Sequence, residues 1–261
     1  MKPGARTPGR ADAPARGRAR GRAVRAALWP CACSLLLLCA SVRPGFGQEV
    51  GTAPEHSPFQ DIITHQAFTL FAGRYAGAAG AAGTGARPGL MVGGRLDVRL
   101  SGALGLTATF AEASTSRLQI NSSGDTAKVM GNLDLKLLSA DLGFTLNLTG
   151  DKTWHHLAPY VTIGAGLTLP SARVVDPGGF ELGTGFSVAA SLGTRIYLSR
   201  SFALRLEARD LYYRYTFPLS FFDRPFAAHA DGSPVLSNSV GDREWYQNYI
   251  FWVGLSYGFN F

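Results

Sequence analysis

Three absences bound what this 261-residue chain can be. Cysteine is confined to Cys31, Cys33 and Cys39, so everything downstream lacks a disulfide framework, a thiolate metal site and a cysteine nucleophile. An excess of charge is also missing once the first residues are set aside. The formal charge of +7 taken alone points to a nucleic-acid partner. Residues 1–47, however, hold nine Lys and Arg against the single acid Asp12, while the other 214 residues hold 16 basic and 17 acidic side chains. A balance of −1 past residue 47 leaves phosphate-backbone binding without an electrostatic basis. Helical periodicity is the third absence, because no segment beyond residue 47 sustains a 3.6-residue apolar repeat.

What the N-terminus does have is an export pattern. Arg18, Arg20, Arg22 and Arg25 precede an uncharged run from Ala26 to Val42 centred on Leu35, Leu36, Leu37 and Leu38. A basic region followed by an apolar one reads as a signal segment. Pro30 interrupts the run, which falls short of the about 20 apolar residues a spanning helix needs. Gly45 and Gly47 supply small residues before a cut near Gly47/Gln48. Leu38 before Cys39 is wrong for lipidation, and Ala32-Cys33 matches a lipidation site only weakly. The expected organisation is a cleaved signal peptide with a basic extension over 1–47, a polar linker over 48–61 with Pro54 and Pro58, and a β domain over 62–261.

In that domain the period is two. Leu90, Val92, Leu96, Val98 and Leu100 share one face opposite Met91, Arg95, Asp97 and Arg99. The same alternation runs through 103–110, 160–169, 185–196 and 202–209, the signature of half-buried strands. In 132–148 the leucines change phase at Leu137-Leu138, which predicts a bulge. The first strand, about 66–76, is the least regular because Phe68, Leu70 and Phe71 break phase. With the closing run 245–261 the count is eight strands. Gaps after odd strands are long (77–87, 113–130, 171–182, 218–244), whereas Ser101-Gly102 and Ser199-Arg200-Ser201 are tight turns and Thr149 to Ala158 is the longer exception. Long loops at one end and short turns at the other is the layout of transmembrane barrels.

The two faces decide which way round the barrel is built. A soluble barrel would carry Lys and Glu on its polar face. Here that face is Gly, Ala, Ser and Thr with scattered charge, as suits the crowded interior of eight strands. The apolar face extends nine to eleven residues per strand, enough to cross the hydrocarbon when tilted. Tyr160, Tyr197, Phe202, Tyr212, Tyr213, Tyr215, Trp245, Tyr246 and Tyr249 fall near strand ends and read as interfacial girdles. Finally Tyr249, Phe251, Val253, Leu255, Tyr257, Phe259 and Phe261 alternate up to the last residue. This run resembles the C-terminal signal strand of Gram-negative outer-membrane proteins. Over about 62–261 the chain resembles the small eight-stranded barrels of the outer-membrane protein A and X type. That resemblance implies an all-β, eight-stranded antiparallel up-and-down transmembrane β-barrel in the bacterial outer membrane. It also implies a monomer in contact with outer-membrane lipid and with the barrel-assembly machinery during biogenesis, the latter reading Val253, Leu255, Tyr257, Phe259 and Phe261.

The polar face also carries the candidate site. Arg95, Asp97, Arg99, Asp134, Arg195, Arg205, Glu207 and Arg209, with Lys136 and Asp141, are expected to form a lumenal ion-pair network, since an unpaired buried charge costs several kcal/mol. Eight strands leave an interior barely filled by side chains, which favours a plug with a structural or surface-interaction role. A narrow pore or transporter of small solutes or hydrophobic molecules is the alternative, and a lipid A-modifying enzyme a weaker one. His229 near Asp231 and Ser233 is the only histidine on the long-loop side, in a loop without the scaffold a general base needs. Trp154-His155-His156 offers no third metal ligand, and the Gly-Ala run from Gly73 to Gly89 lacks the Gly-Lys-Ser/Thr of a phosphate loop. The expectation is therefore no catalytic residue, no cofactor and no metal. Phe221, Phe222, Pro225 and Phe226 are either an adhesive patch for an extracellular ligand or packing across the barrel mouth.

Overall fold

In the computed structural model, which describes residues 57–260, the alternating segments form ten strands and one helical turn. These are β1 (Phe59–Asp61), β2 (Gln66–Ala76), β3 (Gly89–Ser101), β4 (Leu104–Asn121), β5 (Lys128–Asn147), β6 (Lys152–Trp154), β7 (Leu157–Pro170), β8 (Gly185–Tyr197), β9 (Phe202–Thr216), α1 (Ser220–Asp223) and β10 (Arg243–Phe259). Eight of them pair antiparallel in a closed ring, β2-β3-β4-β5-β7-β8-β9-β10 and back to β2. The short β1 and β6 pair with each other beside the ring. The signal segment, its cut, His56 and Phe261 lie outside the described residues.

The register sets the shape. From Tyr257 the pairing passes through Phe68, Leu96, Ala108, Leu142, Ala165, Val188 and Tyr212 and returns to β10 at Gln247, ten residues away. A stagger of that size tilts eight strands by roughly 40° and leaves a bore that side chains can fill. Closure also removes every free strand edge within the ring.

Each strand changes its chemistry along its length. On the lower part of β9 the outward residues are Phe202, Leu204, Leu206 and Ala208, and the inward ones Arg205, Glu207 and Arg209. Higher up the pattern inverts, with Leu211, Tyr213 and Tyr215 buried inside and Arg214 outside. The barrel therefore extends beyond its outward apolar band, and above that band the outside turns polar while the interior becomes an ordinary apolar core.

This inversion corrects the reading of 132–148. No bulge occurs at Leu137-Leu138: Leu135, Leu137, Ser139 and Asp141 share the inward face throughout, and Lys136 and Asp134 point outward. The phase change marks the upper edge of the outward apolar band, and the register shift lies instead between Gln119 and Ile120. The expected 113–130 loop is likewise mostly strand, since β4 and β5 pair out to Asn121 and Lys128. The irregular first strand is real; Phe68 and Leu70 face outward and Phe71 and Tyr75 inward. Within the expected linker, Phe59–Asp61 is a strand.

Candidate functional site

The lumen is the only enclosed concentration of charge among the described residues, and it is filled in four levels. At the short-turn end a strap of residues 58–65 crosses the opening. Its β1 pairs with β6, the Ile62 amide donates to the Asp151 carbonyl at 2.8 Å, and Arg99 Nη1 donates to the Ile62 carbonyl at 2.8 Å. The His65 amide donates to Asn260 Oδ1 at 2.7 Å, so the strap grips both ends of the barrel sequence. Beneath it remains a polar vestibule of about 40 Å³ lined in part by Asp97, Arg99, Asn147 and Arg195.

The second level is the ion-pair layer. Asp97 meets all three central arginines, Arg205 at 2.5 Å, Arg95 at 3.1 Å and Arg195 at 3.5 Å. Glu207 accepts from Arg95 Nη1 at 2.8 Å and from the Tyr160 hydroxyl at 2.7 Å. Tyr160 in turn accepts from Arg205 Nε at 2.6 Å, and its ring lies beneath the guanidiniums of Arg205, Arg195 and Arg95 at 4.3, 4.9 and 5.7 Å. Arg95 also donates to the Thr145 and Thr162 hydroxyls, and Arg195 to Asn147. At the top of this layer Arg209 pairs with Asp141 at 2.7 Å. Such geometry is what buried charge requires, because each guanidinium must replace several lost water contacts. Tyr160 fits because β8 presents Gly193 opposite it; a Cβ there would meet the Tyr160 hydroxyl at 2.3 Å.

The third level is aromatic. Tyr75 and Tyr213 share a hydrogen bond of 2.9 Å, Tyr213 and Tyr215 one of 2.5 Å, and Tyr75 donates to Asn248 Oδ1 at 2.9 Å. Amides of the 77–88 loop close over it: Ala86 donates to Tyr215, Ala81 to Tyr246 and Ala78 to Asn248. The fourth level is a cap made by the longer loops. Phe180 stacks on Phe217 and Phe221, and Arg117, 59 residues from Asp176 in sequence, binds it through two bonds of 2.7 Å while its guanidinium sits over Phe180 at 5.3 Å.

Of the residues expected in the lumenal network, Arg95, Asp97, Arg195, Arg205 and Glu207 meet in the central layer and Arg209 lies above it. Arg99 faces the same bore but binds the strap carbonyl rather than a carboxylate. Asp134 and Lys136 belong to the outer surface, where Lys136 pairs with Glu112 at 3.0 Å. The girdle assignment also needs correction. Tyr212, Trp245, Tyr249 and Phe202 are on the outward parity, but Tyr160, Tyr213, Tyr215 and Tyr246 are buried inside. Their odd or even position on each strand was the signal that separates them. Phe221 and Phe226 are buried in the cap rather than displayed, while Pro225 is exposed. The terminal-strand residues Val253, Leu255 and Tyr257 face outward and pair with both β2 and β9, and Phe259, on the same parity, pairs with Gln66 of β2.

Other chemistry is thin. The Ser233 hydroxyl is bonded to His229 Nδ1 at 2.9 Å, but Asp231 accepts from the Ser233 amide at 3.0 Å and does not orient the imidazole. Its side-chain and backbone bonds to Ser233 hold the exposed Asp231 carboxyl below the ordinary carboxylate range. His155 and His156 occupy a turn with φ of 48° and 64°, and among the described residues no three His, Cys, Asp or Glu are placed to hold a metal ion.

A closed ring of eight antiparallel strands, apolar outside and filled with charge inside, is the architecture of the small outer-membrane β-barrels. No family model and no curated protein matches the chain. Among solved structures it is similar to the outer membrane protein OprG from Pseudomonas aeruginosa, at 13% identity over 76% of this chain and 98% of that one, with a TM-score of 0.43. It is also similar to Neisserial surface protein A, at 14% identity over 78% and 98% with a TM-score of 0.45. A third is the N-terminal β-barrel domain of OprF from Pseudomonas aeruginosa, at 11% identity over 75% and 98% with a TM-score of 0.41.

Proposed function

We propose that the chain spans the outer membrane as a sealed barrel whose role is structural or surface-interactive, holding a capped platform of loops above the bilayer. The outward band supports the membrane reading: on β10 alone Tyr249, Phe251, Val253, Leu255 and Tyr257 are all exposed, and a soluble monomer does not carry an apolar belt of this extent. The sealed reading is carried by the four filled levels of the bore. Heat-modifiable migration of protein from an outer-membrane fraction tests the first point, and recovery as a soluble periplasmic protein would refute it. Planar-bilayer recording tests the second, with no reproducible channels expected. The partners that follow are outer-membrane lipid, the assembly machinery during insertion, and any extracellular ligand that binds the loops.

One observation favours a gated narrow pore as the second reading. Arg205 Nη2, Glu207 Oε1 and Arg195 Nε are buried without a hydrogen bond among the described residues, so the central layer has spare donors and acceptors with which to re-pair. Channels that change on Arg205→Ala would favour it.

A further inference from the structure

The charges that face the bore do not cancel. Below the aromatic level the inward positions carry five arginines, Arg95, Arg99, Arg195, Arg205 and Arg209, against three carboxylates, Asp97, Asp141 and Glu207. The strap brings no further acid to the opening, since its Asp61 is exposed and turned to Lys152 at 3.8 Å. Two positive charges are therefore left over among the described residues. Surplus charge inside a filled bore is costly, and a buried acid or amine relieves such a cost by changing its protonation. A guanidinium keeps its proton in proteins, so that relief is closed here. What remains is an anion from outside.

The contacts show where the surplus lies. Asp141 serves Arg209, and Asp97 and Glu207 are shared by Arg95, Arg195 and Arg205. Arg99 meets no carboxylate: Nη1 donates to the Ile62 carbonyl, while Nε and Nη2 have no partner among the described residues. Arg195 is the most weakly paired of the central three, 3.5 Å from Asp97 and with Nε buried and unpartnered. Both line the vestibule under the strap. Its wall is rich in donors as well. Asn147 spends Oδ1 on Arg195 and leaves Nδ2 without a partner, and the Thr64 and Tyr197 side chains make no hydrogen bond with any described residue. The one carboxylate on the wall, Asp97, already has both oxygens against arginines, and Gln66 Oε1 is buried. A volume of about 40 Å³ takes one ion of chloride's size with about one water.

We propose that the vestibule binds one small monovalent anion of chloride's size, held between Arg99 and Arg195 as the counter-ion of the bore. The site rests on the sealed barrel proposed above. It is tested with the full-length protein in micelles of a nonionic detergent, exchanging sodium gluconate for sodium chloride or bromide at constant ionic strength. Chlorine NMR line broadening, reversed by bromide, is expected to show one saturable site per barrel. The urea midpoint should rise with halide concentration once the site fills, because the folded state alone binds the ion. Arg99→Gln and Arg195→Gln should each weaken halide binding at least about tenfold, whereas Arg74→Gln, exposed on the outward wall, should leave it unchanged. Sulfate, larger and doubly charged, should compete only after deletion of Phe59 to Ile62. Absence of saturable broadening in the wild type, or broadening unchanged in both Arg99→Gln and Arg195→Gln, would overturn the site. So would broadening that appears only in Glu49→Gln or Glu55→Gln, because a carboxylate of the chain itself would then be the counter-charge. Heat-modifiable migration and planar-bilayer recording of every variant report the sealed barrel separately. Conductance in the wild type would sink the sealed reading, and a silent, heat-modifiable barrel without a halide site would sink the anion site alone.

Discussion

Asp97 is the residue on which the central layer depends, and Asp97→Asn is the sharpest perturbation of it. The layer holds Arg95, Arg195 and Arg205 against Asp97 and Glu207, and only Asp97 contacts all three cations, at 2.5 to 3.5 Å. Replacing the carboxylate by an amide of the same shape leaves Glu207, which reaches only Arg95 and Arg205, as the one carboxylate among three guanidiniums, with no change in packing volume. Removing one partner from a buried ion pair costs about 3–5 kcal/mol, so the variant should lose roughly that much. Arg195→Gln acts on the longest of the three contacts and leaves the layer electrically balanced; its cost should be about 1 kcal/mol. In an Arg205→Met background one of the stranded cations is already gone, so Asp97→Asn should cost less there by about 0.5–3 kcal/mol. Reversible urea unfolding in detergent or lipid vesicles, followed by tryptophan fluorescence, measures all of these; Trp252, with Arg205 at 5.6 Å from its ring, is a local reporter. If Asp97→Asn stays within about 1 kcal/mol of wild type, or Arg195→Gln costs as much, charge pairing is not what holds the layer together.

The other levels predict distinct outcomes. Deleting Phe59 to Ile62 should open the vestibule, raising at least about tenfold the rate at which a polar thiol reagent labels Ala67→Cys, a lining residue; with Cys31, Cys33 and Cys39 replaced by Ser the introduced thiol is the sole target, and an unchanged rate would mean the strap seals nothing. Asp176→Asn should release the cap, costing about 3–5 kcal/mol locally and exposing the 217–242 loop to added protease while the heat-modifiable barrel persists; protection equal to wild type would count against the Arg117 anchor. Gly193→Ala should push Tyr160 off its arginines and destabilise the barrel by about 1–3 kcal/mol, with Gly183→Ala, which has open space around it, as the neutral control.

The barrel and half its interior were legible because the alternation is local. Arg205, Glu207 and Arg209 declare their face on β9 without reference to any other strand. The upper barrel misled for a physical reason. Leu135 and Leu137 look like part of the outward apolar band, yet they are buried inside, because partway along β5 the outward face turns from apolar to polar and the inward face from polar to apolar. Sequence period gives the face of a residue but not the height of the membrane boundary. The Arg117–Asp176 anchor was invisible because Arg117 declares its inward face on β4 while its partner sits 59 residues on, in the loop after β7, where no period applies. The strap escaped notice because Pro54 and Pro58 make its surroundings look like linker.

The clasp between His65 and Asn260 bears on the order of events during assembly. Those two residues, 195 positions apart, become neighbours only when β10 has zipped onto β2 and the ring is complete. The strap's pairing with β6 and its bonds to Asp151 and Arg99 involve no residue of β10, so the bonds of Asn260 to His65 and Ile63 are the strap contacts that report closure of the ring.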